Sequence, residues 1–176
     1  VTLETATAEN QMEELLAALA ALKYTQLIFT LPNADTDGRA LIKMVEKFVA
    51  QHPNARAYIS LGQLRYLSCI AQVDGVVGNS SSGLAEVPSF KKGTINIGDR
   101  QRGRLQAESV INCEPTRESI AAALAQLFSI DFQMSLDQVT NPYGEGGASE
   151  AIIATIKAVS LDGLLKKRFY EAVKER

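Results

Sequence analysis

Short apolar runs and amphipathic stretches alternate along this chain up to about residue 127, and that alternation restricts the fold more than any other feature. Met12, Leu15, Leu16 and Leu19 recur at helical spacing within residues 9–22, and residues 26–30 then read as a buried strand. Leu41, Ile42, Val45 and Phe48 form a second stripe over residues 38–49, ahead of a strand at 57–60. Leu64, Leu67, Ile70 and Ala71 mark a third helix before a strand at Val76 and Val77. Strands at 94–97 and 110–112 follow, the second leading through Pro115, at a helix start, into residues 118–127. Parallel strands cannot be joined by a tight turn, so a helix at each crossover predicts a parallel sheet with helices on both faces. The expectation is a doubly wound, Rossmann-like α/β domain whose ligands sit at the carboxyl ends of the strands.

One such end is rich in chemistry. In Asp74-Gly-Val-Val-Gly-Asn-Ser-Ser-Ser-Gly-Leu-Ala-Glu86 a strand stops at Gly78 and a helix is predicted to start among the serines. The first amides of a helix lack intrahelical acceptors and its dipole adds partial positive charge there, which suits a phosphate. Ser80, Ser81 and Ser82 add hydroxyl donors, Gly83 permits close backbone approach by a ligand, and Glu86, about one turn on, is placed to accept from sugar hydroxyls. The pattern reads as diphosphate plus ribose. Serine caps with Glu86 closing a capping box account for the same residues. The next segment favours the anion site: after a loop at 88–92 and the strand at 94–97, Gly98-Asp-Arg-Gln-Arg-Gly-Arg104 sets three arginines beside two glycines, and guanidinium groups suit bidentate phosphate recognition.

Composition agrees with one domain and a nucleotide ligand. The 176 residues are 46% hydrophobic and 22% charged, enough to bury a sizeable core. A net charge of −2 without a basic block is not the footprint of a nucleic-acid partner. No apolar run reaches membrane-spanning length and the N-terminus lacks signal-peptide order, so no membrane partner and a cytoplasmic location are expected. Cys69 and Cys113 are isolated and there is a single histidine, His52, so neither a disulfide framework nor a metal site is expected. His52 precedes Pro53 and reads as a surface-loop residue. Beyond Phe128, residues 131–147 read as a long irregular connection, followed by helices at 149–159, capped by Ser149, and at 164–173.

Gly78-Asn-Ser-Ser-Ser-Gly83 with Glu86, then Asn96-Ile-Gly-Asp-Arg-Gln-x-Gly-Arg104, then Asn141-Pro-Tyr-Gly-Glu-Gly-Gly147 resemble, in this order, the UDP-N-acetylglucosamine 2-epimerases, most closely the hydrolysing branch that releases N-acetylmannosamine and UDP for sialic acid synthesis. The resemblance runs through nearly the whole chain but covers only half of such an enzyme. It implies the C-terminal half of a two-domain, GT-B-type architecture, with residues 1–130 as the UDP-binding domain and 131–176 as a crossing segment and helices packing toward an N-terminal domain. It places the diphosphate on Ser80 and Ser81, the ribose on Glu86, a phosphate or sugar contact on Arg100, Asn33 near the nucleotide, and the uracil against Leu61 and Gly62. For Asn33, in Pro-Asn-x-Asp before Gly38, an ordinary turn is the competing reading. The reaction implied is proton abstraction beside the anomeric carbon, anti elimination of UDP and water addition, without a cofactor. The family's proton-moving acids belong to the first domain and a histidine falls just before Val1. No catalytic residue is therefore assigned within this chain, which lacks an initial Met and reads as an excised piece of a homo-oligomeric enzyme. Two other classes fit the same architecture: the donor-nucleotide domain of a GT-B glycosyltransferase, and a non-catalytic nucleotide-binding or regulatory domain.

Overall fold

The computed structural model describes residues 8–32 and 38–163. The order is α1 (Ala8–Leu19), β1 (Leu27–Thr30), α2 (Gly38–Gln51), β2 (Ala55–Tyr58), α3 (Gly62–Gln72), β3 (Gly75–Gly78), α4 (Ser82–Ala85), a 3-10 turn at Val87–Phe90, and β4 (Gly93–Ile97). Then come β5 (Val110–Cys113), α5 (Arg117–Leu127), α6 (Ile130–Ser135), a 3-10 turn at Leu136–Gln138, and α7 (Ala148–Ala158). The chain divides into two compact units, residues 1–144 and 145–176.

All strand pairs are parallel, as the crossover helices require. Among the described residues they form two ladders, β1–β2 and β3–β4–β5. One apolar core joins them: Leu27 and Phe29 of β1 and Ala55 of β2 meet Ile95, Ile97 and Ile111 under Ile120, Leu124 and Leu127 of α5, with Leu19 and Phe48 from α1 and α2. Ile120 is wholly inaccessible, a burial that contributes about 1.5–3 kcal/mol. β4 is central and buried at every position. Its polar residues are bonded across the layer, Thr94 Oγ1 donating to the Gly83 carbonyl at 2.8 Å and Asn96 Nδ2 to Asn112 Oδ1 at 2.8 Å.

Several expectations change. The outer face of β1–β2 is uncovered among the described residues: Ile28 and Tyr58 are 48% and 46% exposed, and Arg56 and Thr30 share their side of the pleat. β2 starts earlier than its apolar pattern suggests. Asn54 bonds the carbonyls of Leu22 (3.0 Å) and Thr25 (2.7 Å) through Nδ2 and receives Leu27 N–H on its own carbonyl, which aligns the chain with β1 from Ala55 onward. His52 is half-buried, stacked on Phe48 with ring centroids 3.8 Å apart, and its Nδ1 lies 2.8 Å from the Phe48 carbonyl at the end of α2. The stretch at 131–147 is not irregular throughout. Ser129 caps α6 by accepting from Phe132 N–H, and Leu136 and Val139 are buried beside Ala107.

In the second unit α7 is capped by Gly147, at φ 76°, rather than by Ser149, and its Ile152, Ile153 and Ile156 are exposed. The expected helix at 164–173 lies outside the described residues. No single described helix is long and apolar enough to cross a membrane.

Candidate functional site

The carboxyl ends of β1 and β2 open into a cleft of about 370 Å³ lined by Thr30, Leu31, Ser60, Leu61, Gly62, Tyr66 and Glu86, among others. The chain enters α3 by a sharp turn. Gly62 has φ 65°, which a residue with a side chain adopts only under strain, and its N–H reaches Ser60 Oγ at 3.1 Å. Nothing lies within 4 Å of where a Cβ would be, so this wall is open to a ligand. Tyr66, one turn further along α3, has its hydroxyl 2.8 Å from Ser82 Oγ and so ties this wall to the start of α4.

That loop differs from the expected helix start. α4 is one turn long, because Pro88 lacks the N–H that would bond the Leu84 carbonyl and the chain tightens into the 3-10 turn. A single turn carries little dipole, and the Gly83 and Leu84 amides are already spent on the carbonyls of Ser80 (3.2 Å) and Ser81 (3.1 Å). The capping-box reading also fails: Ser81 makes no side-chain cap bond, and Glu86 closes the C-terminal end of α4. Ser80 and Ser81 are exposed, with Ser80 Oγ at 3.4 Å from Ser82 N. Gly83 is buried and offers no approach to a ligand: the space its missing Cβ leaves is filled by Thr94, whose Cγ2 would lie 2.6 Å away.

The arginine loop is anchored by a motif residue to which the sequence gives no role of its own. Gln101 is 3% exposed and donates from Nε2 to the Asn79 carbonyl at 2.7 Å. Arg100 is exposed, with Nη1 3.3 Å from Asn79 Oδ1, and therefore stands beside the serines. Arg102 and Arg104 line a separate cavity of about 800 Å³ with Asn96, Gln106, Asn112 and Glu114. The three guanidinium groups thus do not converge.

Leu61, Gly62 and Glu86 share one cleft; Ser80, Ser81 and Arg100 do not line it, although Ser82 bonds its Tyr66 and Arg100 bonds Asn79. Asn33 and Asp35 lie outside the described residues. Tyr66 and Gln101 were not anticipated. Tyr66 carried a signal, an aromatic four residues after Gly62 on the same helical face; Gln101 stands in the Arg-Gln-x-Gly-Arg motif, but nothing local marks it as buried.

The family model described as UDP-N-acetylglucosamine 2-epimerase matches residues 1–157. The GDP/UDP-N,N'-diacetylbacillosamine 2-epimerase (hydrolyzing) of Campylobacter jejuni is 36% identical over 173 residues, 97% of this chain and 44% of that protein. The polysialic acid biosynthesis protein P7 of Escherichia coli is 38% identical over 157 residues, 89% of this chain and 40% of that protein. Among solved structures, UDP-GlcNAc 2-epimerase from Neisseria meningitidis bound to UDP-GlcNAc superposes with a TM-score of 0.65 at 16% identity, over 85% of this chain and 41% of that one. That last likeness establishes the α/β fold. The chain spans less than half the length of the relatives it matches.

Proposed function

Since the chain belongs to the UDP-N-acetylglucosamine 2-epimerase family, we propose that it is the UDP-binding, C-terminal part of a hydrolysing epimerase that converts UDP-N-acetylglucosamine to N-acetylmannosamine and UDP. The observation that carries this reading is the cleft itself: Leu61, Gly62, Tyr66 and Glu86 line it together, Tyr66 bonds Ser82 in the serine run, and Arg100 bonds Asn79 just before that run.

In this reading the uracil lies along Leu61 and Gly62, and Glu86 accepts from the ribose hydroxyls. Ser80, Ser81 and Arg100 hold the diphosphate. Elimination breaks the bond between the anomeric carbon and the diphosphate oxygen as a base removes the proton on the neighbouring carbon, so negative charge grows on the departing UDP. A guanidinium beside that oxygen stabilises the transition state more than the ground state, which is how a binding residue contributes to rate. Water addition to the unsaturated sugar then gives the epimer. We assign the acid and base groups that move these protons to the part of the enzyme beyond this chain, and the exposed isoleucines of α7 to contacts with that part.

A second substrate, a GDP- or UDP-linked N,N'-diacetylbacillosamine, is favoured by one observation: the Campylobacter relative, which 97% of this chain matches, is named for that activity. Calorimetry and product analysis test the proposal together. UDP should bind this chain more tightly than UMP, and mass spectrometry of the complete enzyme's products should show free UDP with an epimerised sugar from one of the two substrates. Ser81→Ala, Glu86→Gln and Arg100→Ala should each weaken UDP binding about tenfold, as loss of a hydrogen bond to charge implies, with little change in Tm. Equal affinity for UMP and UDP would remove the diphosphate role of the Ser80 loop.

A further inference from the structure

The segment 139–143 does more than leave the first unit. Lys91, held at φ 55° after the 3-10 turn, donates from Nζ to the Val139 carbonyl. Tyr143 hydroxyl donates to the Leu105 carbonyl at 3.1 Å, just past the arginine loop. Between these ties stands Asn141. Its Nδ2 donates to the Ala85 carbonyl at 2.8 Å and to Ser89 Oγ at 2.7 Å, while its Oδ1 accepts from Tyr143 N–H at 2.9 Å. Ala85 ends α4, Ser89 lies in the 3-10 turn, and the residue at the junction is Glu86.

We propose that Asn141 is a positioning residue for Glu86: one side-chain amide grips the backbone on both sides of the carboxylate and sets its aim into the cleft. The physical need is plain. α4 is too short to hold its own C-terminal end rigid, and Glu86 is the last residue whose N–H, 2.9 Å from the Ser82 carbonyl, extends that turn. A primary amide is required because both partners on this side accept and the partner on the other side donates, and of the side chains this short only Asn supplies two N–H donors and a carbonyl together. Ala85 is the last residue of α4, so Asn141 also bonds a helix-end carbonyl.

The proposal rests on the ribose role of Glu86, and the test separates the two. Calorimetry of this chain with UDP and with 2′,3′-dideoxy-UDP gives a preference ratio that reports bonds to the ribose hydroxyls alone. Asn141→Asp keeps the acceptor for Tyr143 N–H and loses both donors; it should weaken UDP about fivefold or more, as one misaimed charge-assisted bond implies, while dideoxy-UDP moves less than about twofold. Its ratio should approach that of Glu86→Gln. Ser89→Ala, at an exposed residue, removes one of the two grips and should give an intermediate ratio, which keeps the test usable should Asn141→Asp not fold. An unchanged ratio in both variants, or parallel weakening of both nucleotides with a fall in Tm, would reduce Asn141 to a structural residue and overturn the proposal. If the unaltered chain shows no preference, or Glu86→Gln leaves it intact, the ribose reading fails and takes the proposal with it.

Discussion

At Gly83 a missing side chain joins the loop after β3 to the central strand. Thr94 fills the space, and its hydroxyl bond to the Gly83 carbonyl is buried, so it cannot swing aside without leaving that carbonyl unpaired. Gly83→Ala is therefore expected to cost about 1–3 kcal/mol of stability by overpacking. Thr94→Ser deletes the offending methyl and keeps the donor, so the double variant should recover more than half of the loss in urea denaturation; additive losses would mean the clash is not the cause. A second residue-scale expectation concerns Cys113 at the end of β5. Burial, with Glu114 beside it, pushes its thiol up from 9.0 to about 11. The folded chain holds this proton more tightly than the unfolded one, so the contribution is complete below pH 9.0 and lost as pH rises through about 11. Tm measured across that window should fall more steeply for the unaltered chain than for Cys113→Ala, and superimposable curves would contradict the shift. The sequence made the glycine conspicuous for the wrong reason, since its partner lies eleven residues on across the fold and no local pattern announces it. Glu86 was legible from its place one turn after a strand end, and Leu61 and Gly62 only through the family resemblance, whereas the burial of Gln101 depends on a carbonyl in another loop.

Between elements, the contact of α1 with α5 has a specific fastening. Glu14 Oε2 accepts from Arg117 N–H at 2.6 Å, so a carboxylate from one helix caps the first amide of another, alongside the Thr116 cap on Ser119 N–H. Glu14→Ala should cost about 1 kcal/mol, the usual value of a lost cap, and lower Tm by about 2–4 °C for a chain of this size. Differential scanning calorimetry reads it; an unchanged Tm would show that water replaces the carboxylate. Helices of three turns were readable from their apolar stripes because periodicity needs length. The two that were misread are short: α4, cut off by Pro88, and α6, six residues whose Ile130 and Met134 face solvent and so display no amphipathic pattern. Parallel pairing followed from the crossovers. The separation into two ladders did not, since strand order is set by contacts between distant segments and not by local pattern.

For the molecule as a whole, the first unit ends at Gly144, so the segment carrying Asn141 and Tyr143 goes with the sheet. A chain ending at Gly144 should keep its UDP affinity within about twofold and its cooperative unfolding, because the ties from Lys91, Asn141 and Tyr143 all fall inside it. Loss of binding would place part of the nucleotide site in the second unit. The contrast between β4, enclosed at all five positions, and β1–β2, bare on one side among the described residues, has a consequence in time as well as in space. Amide protons in β4 exchange with solvent only when the whole unit opens, whereas those of β1 and β2 escape through smaller, more frequent openings. The proposed nucleotide cleft is built on the ends of that looser pair. A bound nucleotide should then slow deuterium uptake at Phe29, Thr30 and Tyr58 far more than at Ile95, reporting occupancy through the pace at which a half-covered ladder breathes.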